Sequence, residues 1–306
     1  MQKIDKTRSL TPGDDRSRAW KAISLYTGAS LSDLVIFDIE TTGLSANVSS
    51  LYLIGALWYD TPKKEIKMCQ WFADDYTSEC TILEAFSSFV SGFSTIVHYN
   101  GSGFDIPYLE KKMSQYHINC DLTRFEGIDI YRRIAPYKEF LHLPNCKQKT
   151  IEGFLHTDRE DTYTGGELID IYHEYVLTHD SEKEHFLLLH NAEDIKGMLD
   201  IIAALAIPDL IHEPVKVIKV HANYYNDIHQ QKCPEIIMSL KLPTPLPTDI
   251  SYSAESCYFI GSGDEVLITS QDAAKAFCSC SFSDNSIISS TPPLPIMTGT
   301  PAIIPF

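Results

Sequence analysis

The stretch LVIFDIETTGL, residues 34–44, decides the fold of this chain. Its first six residues are mostly apolar, as in a strand inside a sheet, and a Thr-Thr-Gly turn follows. Because side chains alternate along a strand, Asp38 and Glu40 point to the same side. Two neighbouring carboxylates in a buried strand repel each other and lose hydration, so we expect a positive partner between them. That partner is either a basic side chain from elsewhere or a divalent metal, and hard oxygen ligands favour Mg²⁺ or Mn²⁺.

Composition places the chain among globular proteins with a large core. It has 306 residues, 44% of them hydrophobic, which suffices for one large domain or two modest ones. The formal net charge of −16 argues against a non-specific nucleic-acid coat, although an enzyme that captures phosphates through bound cations needs only a local basic rim.

Targeting signals and cysteine usage predict a cytoplasmic protein. The first 18 residues are polar and lack the apolar segment of a signal peptide. Since no stretch approaches the roughly 20 apolar residues of a membrane span, we expect no membrane association. The eight cysteines form no Cys-x-x-Cys and no zinc-finger spacing with histidine, so they are interpreted as reduced thiols.

Changes in pattern along the chain predict its organisation. Three strand candidates in succession, at residues 34–39, 50–58 and 65–72, indicate an antiparallel meander, and strand-helix alternation follows. The long helix predicted over residues 182–207 is expected to end at Pro208. We therefore predict an α/β mixed sheet flanked by helices, with a small C-terminal extension that contains β-structure. The predicted segments are a lead-in (1–30), the α/β domain (31–210), the extension (211–280) and a loosely ordered tail rich in proline and serine (281–306).

Three further residues are candidates for the same site. Asp105 follows the predicted strand TIVHY by a glycine-rich loop, which would bring its carboxylate to one edge of the sheet; the alternative is that it only caps its helix. His190 and Asp194 are four residues apart on the long helix and therefore share a face. Such a pair is also common as an ordinary surface contact.

Taken together, these motifs resemble the DEDD (DnaQ-like) 3′-5′ exonuclease superfamily. That family has a ribonuclease-H-like fold with Asp-x-Glu on the first strand, an Asp that opens a later helix, and a final Asp preceded by His or Tyr. The matching positions are Asp38, Glu40, Asp105, Asp194 and His190. The segments LYLIGALW, VHYNGSGFD, LPNCKQKTIEGFL and HNAEDIKGM look most like the YprB-type branch, and the resemblance covers about residues 31–205.

The resemblance implies hydrolysis of phosphodiester bonds with two Mg²⁺ or Mn²⁺ ions. Asp38 would bridge both ions, Glu40 and Asp194 would complete one site, and Asp105 would act on the other. His190 would take the proton of the attacking water, although the family's histidine usually lies five residues before the final Asp rather than four. A satisfied, half-buried histidine is the alternative for His190.

The resemblance also implies a substrate-binding turn. Thr41 and Gly43 would contact the terminal sugar and Leu44 its base, with Asn100 close by; alternatively, Gly43 only turns the chain and Leu44 packs into the core. Further phosphates could meet basic side chains, each of which could equally be a solvated surface charge. These residues are Lys111, Lys112, Arg132, Arg133, Lys147, Lys149 and Arg159.

The leading interpretation is a 3′-5′ exonuclease acting on single-stranded DNA or RNA. One alternative is a structure-selective endonuclease on the same fold. Another is a non-catalytic module that binds nucleic acid or protein. The net charge of −16 and an apolar C-terminal region suggest a protein partner through that region.

Overall fold

The structure, a computed structural model, describes residues 2–9, 23–24, 26–157, 159–161, 163–212, 215–254 and 257–271. Its strands are β1 (Gln2–Ser9), β2 (Leu34–Thr41), β3 (Leu51–Asp60), β4 (Glu65–Phe72), β5 (Thr95–His98), β6 (Glu126–Asp129), β7 (Lys216–Asn226), β8 (Lys232–Lys241), β9 (Ile250–Ala254), β10 (Cys257–Ser262) and β11 (Glu265–Ser270). The helices are α1 (Glu79–Val90), α2 (Asp105–Gln115), α3 (Ile130–Ile134), α4 (Gln148–Phe154), α5 (Gly165–Thr178), α6 (Ser181–Ile201) and α7 (Ala206–His212).

The chain divides into two compact units, and the first contains residues 1–132 and 147–202. Its sheet has the order β1-β4-β3-β2-β5-β6. Strands β1 to β4 pair antiparallel, whereas β5 pairs parallel with both β2 and β6. Helices α1 and α6 both pack on this sheet. The predicted mixed sheet, a meander followed by parallel strands with flanking helices, is confirmed.

Alternation along β2 places its apolar and acidic side chains on different faces. Phe37 is buried and packs against Phe86 of α1, with their ring centroids 5.5 Å apart. Burial of such a side chain contributes about 1.5–3 kcal/mol. Asp38 faces the other way and meets α6 through Asn191. Helix α6 approaches closely because β3 has Gly55 there: an added Cβ would lie 2.1 Å from the Asn191 side chain.

Several predicted elements differ from those observed. The predicted lead-in contributes an edge strand, because residues 2–9 pair antiparallel with β4. The prediction that Pro208 ends the long helix was wrong. Helix α6 ends at Ile201, a 3₁₀ turn (Ile202–Leu205) follows, and Pro208 lies in the first turn of α7, where a missing N–H is tolerated.

The second unit contains residues 133–146 and 203–306. Its antiparallel sheet has the order β7-β8-β11-β10-β9, in which β10 and β11 form a hairpin, so the extension contains the predicted β-structure. Residues 133–146, which the sequence assigned to the α/β domain, join this unit because Phe140 packs against Tyr252 and Phe259. The predicted tail lies outside the described residues, and the predicted protein partner of this region stays a prediction. Among the described residues, no helix has the length and apolar character of a membrane span.

Candidate active site

Asp38 lies in a row of interacting residues that crosses three strands. It pairs with Gly55 on β3, and Gly55 pairs with Gln70 on β4. The Gln70 side chain is fully buried and donates to the Oδ1 of Asn191 at 3.0 Å; the Nδ2 of Asn191 then donates to the Oδ2 of Asp38, also at 3.0 Å. A carboxylate with one oxygen fixed in this way has a defined orientation, and Asn191 acts as its support.

Glu40, His190 and Asp194 form a cluster with the spacing of metal ligands. One ligand atom from each residue lies within 4.8 Å of the others. The Nε2 of His190 is 3.2 Å from the Oδ2 of Asp194 and 3.9 Å from the Oε1 of Glu40. Helix α6 supplies two members of the cluster one turn apart, as the four-residue spacing predicted, and β2 supplies the third.

Asp105 reaches the middle of the acidic motif on β2. It is the first residue of α2, because Phe104 occupies the N-cap position. Its carboxylate accepts hydrogen bonds from its own backbone N–H and from that of Ile39, which lies between the two acids of β2. Burial nevertheless raises the pKa of Asp105 to about 7, and the charges of Asp129 and Asp194 contribute to the rise. The glycine-rich loop thus brings this carboxylate next to β2.

The acids of β2 are not neutralised by a basic side chain. Burial raises the pKa of Asp38 well above its ordinary value, and the neighbouring acids raise it further. Burial does the same to Glu40, where Arg159 offsets part of the rise. Among the described residues, no lysine or arginine forms an ion pair with Asp38 or Glu40. No donor in the described part of the chain forms a hydrogen bond with the buried Oε1 of Glu40. Oxygen-rich, uncompensated and rigidly held, this donor set fits a divalent cation.

Arg159 neutralises a different part of the site. Its Nη2 donates to the Oδ1 of Asp194 at 2.6 Å, and its Nη1 lies 3.1 Å from both oxygens of Glu152. The backbone oxygen of Asp194 accepts from the Nε2 of Gln148 at 2.8 Å. Helices α4 and α6 approach closely here because Gly197 has no side chain: an added Cβ would lie 2.0 Å from Glu152. Asp194 therefore keeps one oxygen, Oδ2, toward His190.

The loop after β2 is held by internal hydrogen bonds and exposes the apolar side chain of Leu44. The Oγ1 of Thr41 donates to the backbone oxygen of Gly43 at 2.9 Å, and the hydroxyl of Ser49 donates to the same oxygen at 2.9 Å. The Ser49 hydroxyl also meets that of Tyr108 at 2.8 Å. Leu44 is 88% exposed, so the alternative that it packs into the core was wrong.

Asn100 lies in the loop that leads to Asp105 and has a positive φ of 60°, a conformation that asparagine tolerates better than most residues. Its backbone N–H donates to Asp129 at 2.9 Å, and the N–H of Gly101 donates to the Nδ1 of His98 at 3.0 Å. Both acceptors end neighbouring parallel strands. The side chains of His98 and Asp129, at the ends of β5 and β6, thus fix the position of the loop.

Several of the proposed phosphate contacts are already ion-paired. Lys112 is buried and binds Glu79 at 2.9 Å, and Arg159 is bound to Glu152 and Asp194. Lys149 contacts Asp161 at 3.1 Å. The expectation that Lys112 and Arg159 are available to a nucleic acid was wrong, because both compensate buried carboxylates.

A model of the RNase H superfamily matches residues 35–206, more than half of the chain, and the matched region contains every residue of the acidic cluster. The chain belongs to the RNase H superfamily. This confirms the ribonuclease-H-like relationship predicted from the sequence. No curated protein matches the chain.

Solved structures similar to this RNase H superfamily chain include exonuclease I. E. coli exonuclease I in complex with a dT13 oligonucleotide has 11% identity over 68% of this chain and 54% of that one, with a TM-score of 0.33. An "ExoI/SSB-Ct complex" has 13% identity over 69% and 55%, with a TM-score of 0.33. The chain thus spans about half the length of these proteins.

Three residues of this RNase H superfamily site were missed by the sequence analysis or given another role. Asn191 lies three residues before Asp194, and its position on the same helical face as Asp194 could have identified it. The Oδ2 of Asp161 lies 2.8 Å from the Nδ1 of His190, within hydrogen-bond distance. Arg159 was considered only as a phosphate contact. The last two lie in a loop, where no periodicity indicates which way a side chain points.

Proposed function

We propose that the chain is a divalent-metal-dependent 3′-5′ exonuclease that hydrolyses single-stranded DNA or RNA. The observation that carries this proposal is the convergence of acids from β2, α2 and α6 around a buried, unpartnered oxygen of Glu40. A strand buried against helices does not retain such an oxygen for stability, since an unpaired buried acid is destabilising. Membership in the RNase H superfamily supports nuclease chemistry at this position.

The proposed metal ligands are Asp38, Glu40, Asp105 and Asp194. Two Mg²⁺ or Mn²⁺ ions bound there would activate water and stabilise the departing 3′ oxygen. Asn191 keeps Asp38 oriented, and the Ile39 N–H holds Asp105. Such support matters because ligands held by surrounding hydrogen bonds bind metal better than free ones.

His190 is proposed to accept the proton of the attacking water at Nε2. This nitrogen faces Glu40 and Asp194, whereas Nδ1 faces away from the cluster toward Asp161. Imidazole suits this role near neutral pH, since its ordinary pKa is about 6.5. Its four-residue distance from Asp194 keeps both side chains on one face of α6.

The terminal nucleotide is proposed to bind at the loop after β2. The exposed side chain of Leu44 offers an apolar surface to a base, and the backbone near Thr41 and Gly43 offers polar groups to the sugar. The hydrogen bonds from Ser49 and Thr41 to the Gly43 oxygen hold this loop in place before substrate arrives. Asn100 lies in the neighbouring loop, which also ends at a metal ligand.

The test uses the full chain with 5′-labelled single- and double-stranded DNA and RNA in Mg²⁺ or Mn²⁺. We expect products that shorten stepwise from the 3′ end of single strands. Internal cuts would instead indicate an endonuclease, and binding without cleavage a non-catalytic module; either result contradicts the proposal.

Asp38→Asn separates this activity from a contaminating nuclease. The amide keeps an oxygen for Asn191 but removes the charge, so the fold should persist while hydrolysis falls at least about 10³-fold, equivalent to several kcal/mol of transition-state stabilisation. Asp33→Asn is the matched control, because Asp33 is exposed and directly precedes β2. Equal rates for Asp38→Asn and wild type would contradict the assignment.

A further inference from the structure

The loop between α4 and α5 contains a buried carboxylate that the proposed mechanism leaves without a role. Asp161 is 6% exposed. Its Oδ2 lies 2.8 Å from the Nδ1 of His190 and 3.1 Å from the Nζ of Lys149, and its Oδ1 accepts from the backbone N–H of Tyr163 at 3.1 Å. Arg159 adds a contact at 3.4 Å. Four donors from different parts of the unit therefore hold this side chain in one position.

Asp161 is ionised and can only accept hydrogen bonds. The Nζ of Lys149 and the Nη2 of Arg159 lie 3.1 and 3.4 Å from its Oδ2, and two cations beside a buried carboxyl group favour its charged form. A carboxylate next to Nδ1 requires that nitrogen to carry the hydrogen. A neutral imidazole has only one such hydrogen, so its lone pair must be on Nε2.

This tautomer is important for the proposed mechanism because Nε2 faces the acidic cluster. Nε2 is 3.2 Å from Asp194 and 3.9 Å from Glu40, on the side where the proposed metal ligands converge. The opposite tautomer would present an N–H there and could not accept a proton. The ring thus contacts two carboxylates, and the shorter contact, a hydrogen bond of 2.8 Å between Nδ1 and Asp161, is the one that places the hydrogen on Nδ1.

We propose that Asp161 is a positioning residue that fixes His190 in the Nδ1–H tautomer, so that Nε2 presents its lone pair to the acidic cluster. The catalytic meaning of this inference rests on the proposed nuclease function. The contact itself does not, since it can be observed without metal or substrate. The orientation of the His190 imidazole is then set by Asp161 of the loop, and it does not depend on the four-residue spacing between His190 and Asp194.

The two cations that contact Asp161 make a conservative substitution necessary. Lys149 and Arg159 both contact the Oδ2 of Asp161, so removal of the side chain would leave two cations with fewer acceptors. Asp161→Asn keeps the shape and one oxygen. The amide nitrogen that it introduces can donate to Nδ1, which would favour hydrogen on Nε2 instead.

The tautomer is measured by ¹⁵N NMR of histidine-labelled, metal-free full chain at a pH where the imidazole is neutral. The His190 signals are assigned with His190→Gln. Wild type should show hydrogen on Nδ1, and Asp161→Asn should shift it toward Nε2. In the oligonucleotide assay, kcat of Asp161→Asn should fall about 10- to 100-fold, the usual effect of losing a group that orients a ligand or base, with KM nearly unchanged.

Asp170→Asn is the matched control, since Asp170 is exposed on α5 of the same unit; its tautomer and kcat should equal those of wild type. Hydrogen on Nε2 in wild type would overturn the inference without any variant. So would a folded Asp161→Asn protein that loses kcat while the tautomer stays unchanged. If wild type does not hydrolyse nucleic acid but shows Nδ1–H, the nuclease proposal fails and the positioning contact stands.

Discussion

Two glutamates, Glu79 and Glu40, are enclosed by the same unit but have opposite surroundings. Glu79 is 3% exposed, and its two oxygens accept from the ammonium of Lys112, the hydroxyl of Tyr116 and the backbone N–H of Leu51, at 2.6–3.2 Å. Among the described residues, none forms a hydrogen bond with the buried Oε1 of Glu40, and its ion-pair contact there is the imidazole of His190, 3.9 Å away. The first glutamate is fully compensated, whereas the second is not.

The difference separates a structural acid from a functional one. A buried ion pair with additional hydrogen bonds joins elements, and Glu79 connects α1 to α2 and to the start of β3. An uncompensated acid destabilises the metal-free fold, and groups with strongly perturbed pKa values concentrate at functional sites. Asp38 and Asp105 share the surroundings of Glu40. The comparison therefore predicts opposite responses to charge, pH and metal in the two regions.

The largest expected effect is the pH dependence contributed by Asp105. Its folded pKa of about 7 lies above the ordinary value of 3.8, so folding favours the protonated form. This stabilisation is complete below pH 3.8 and is lost as the pH rises through about 7. At about 1.4 kcal/mol per pKa unit, the free energy of unfolding should lose about 4 kcal/mol between pH 4 and pH 8 through this group.

Asp105→Asn should remove the pH-dependent contribution of Asp105 to the free energy of unfolding. Urea unfolding of metal-free protein at several pH values measures this contribution. The variant should be no less stable than wild type at pH 8, because a repelling charge is gone. Asp170→Asn, which changes an exposed acid, should keep the wild-type slope. A slope that is the same in Asp105→Asn and wild type would show that Asp105 is not held as a buried acid.

A slightly smaller effect on the free energy of unfolding is expected when the ion pair of Glu79 is broken. Lys112→Met leaves Glu79 buried without its ammonium, so the free energy of unfolding at pH 8 should fall by about 3 kcal/mol, the low end for a broken buried pair because Tyr116 and Leu51 still donate. Lys111→Met is the matched control on the same helix, since Lys111 is exposed. If both variants lose the same stability, the pair is not a structural one.

Sequence reasoning found the acids because their signals are local. Asp38 and Glu40 are recognised by alternation in one strand, and His190 and Asp194 by one helical turn. Asp105 required only a strand, a loop and a helix start. Each of these signals extends over a few residues, so it does not depend on knowing which elements become neighbours.

The supporting residues could not be predicted in the same way. Gln70 has no feature in the sequence that marks it, and it matters only because β4 lies two strands from β2 and α6 covers both. Asp161 and His190 are 29 positions apart in the sequence, and all of α5 lies between them, so their contact is set by the packing of helices. Arg159 illustrates the same limit, since a surface cation and a buried counter-ion look identical in sequence.

The smallest effect, metal-dependent stability, makes the most direct comparison of the two glutamates. At a Mn²⁺ concentration of about one hundred times its Kd, binding to the folded state alone should stabilise the chain by about 2.7 kcal/mol at pH 8. Glu40→Gln should lose most of this gain, because it removes a ligand from the cluster with His190 and Asp194. Thermal melting with Mn²⁺, and again after addition of EDTA, measures it.

Lys112→Met sharpens the same experiment. It creates a second buried and unpaired glutamate, Glu79, whose remaining neighbours are a hydroxyl and a backbone N–H, both of them donors. A lone carboxylate among donors is a poor site for a divalent ion, which needs several oxygen ligands. Lys112→Met should therefore be less stable than wild type but gain as much from Mn²⁺. An extra gain in this variant would mean that any uncompensated buried acid recruits the metal, and the stabilisation would then no longer identify the cluster around Glu40 as a built site.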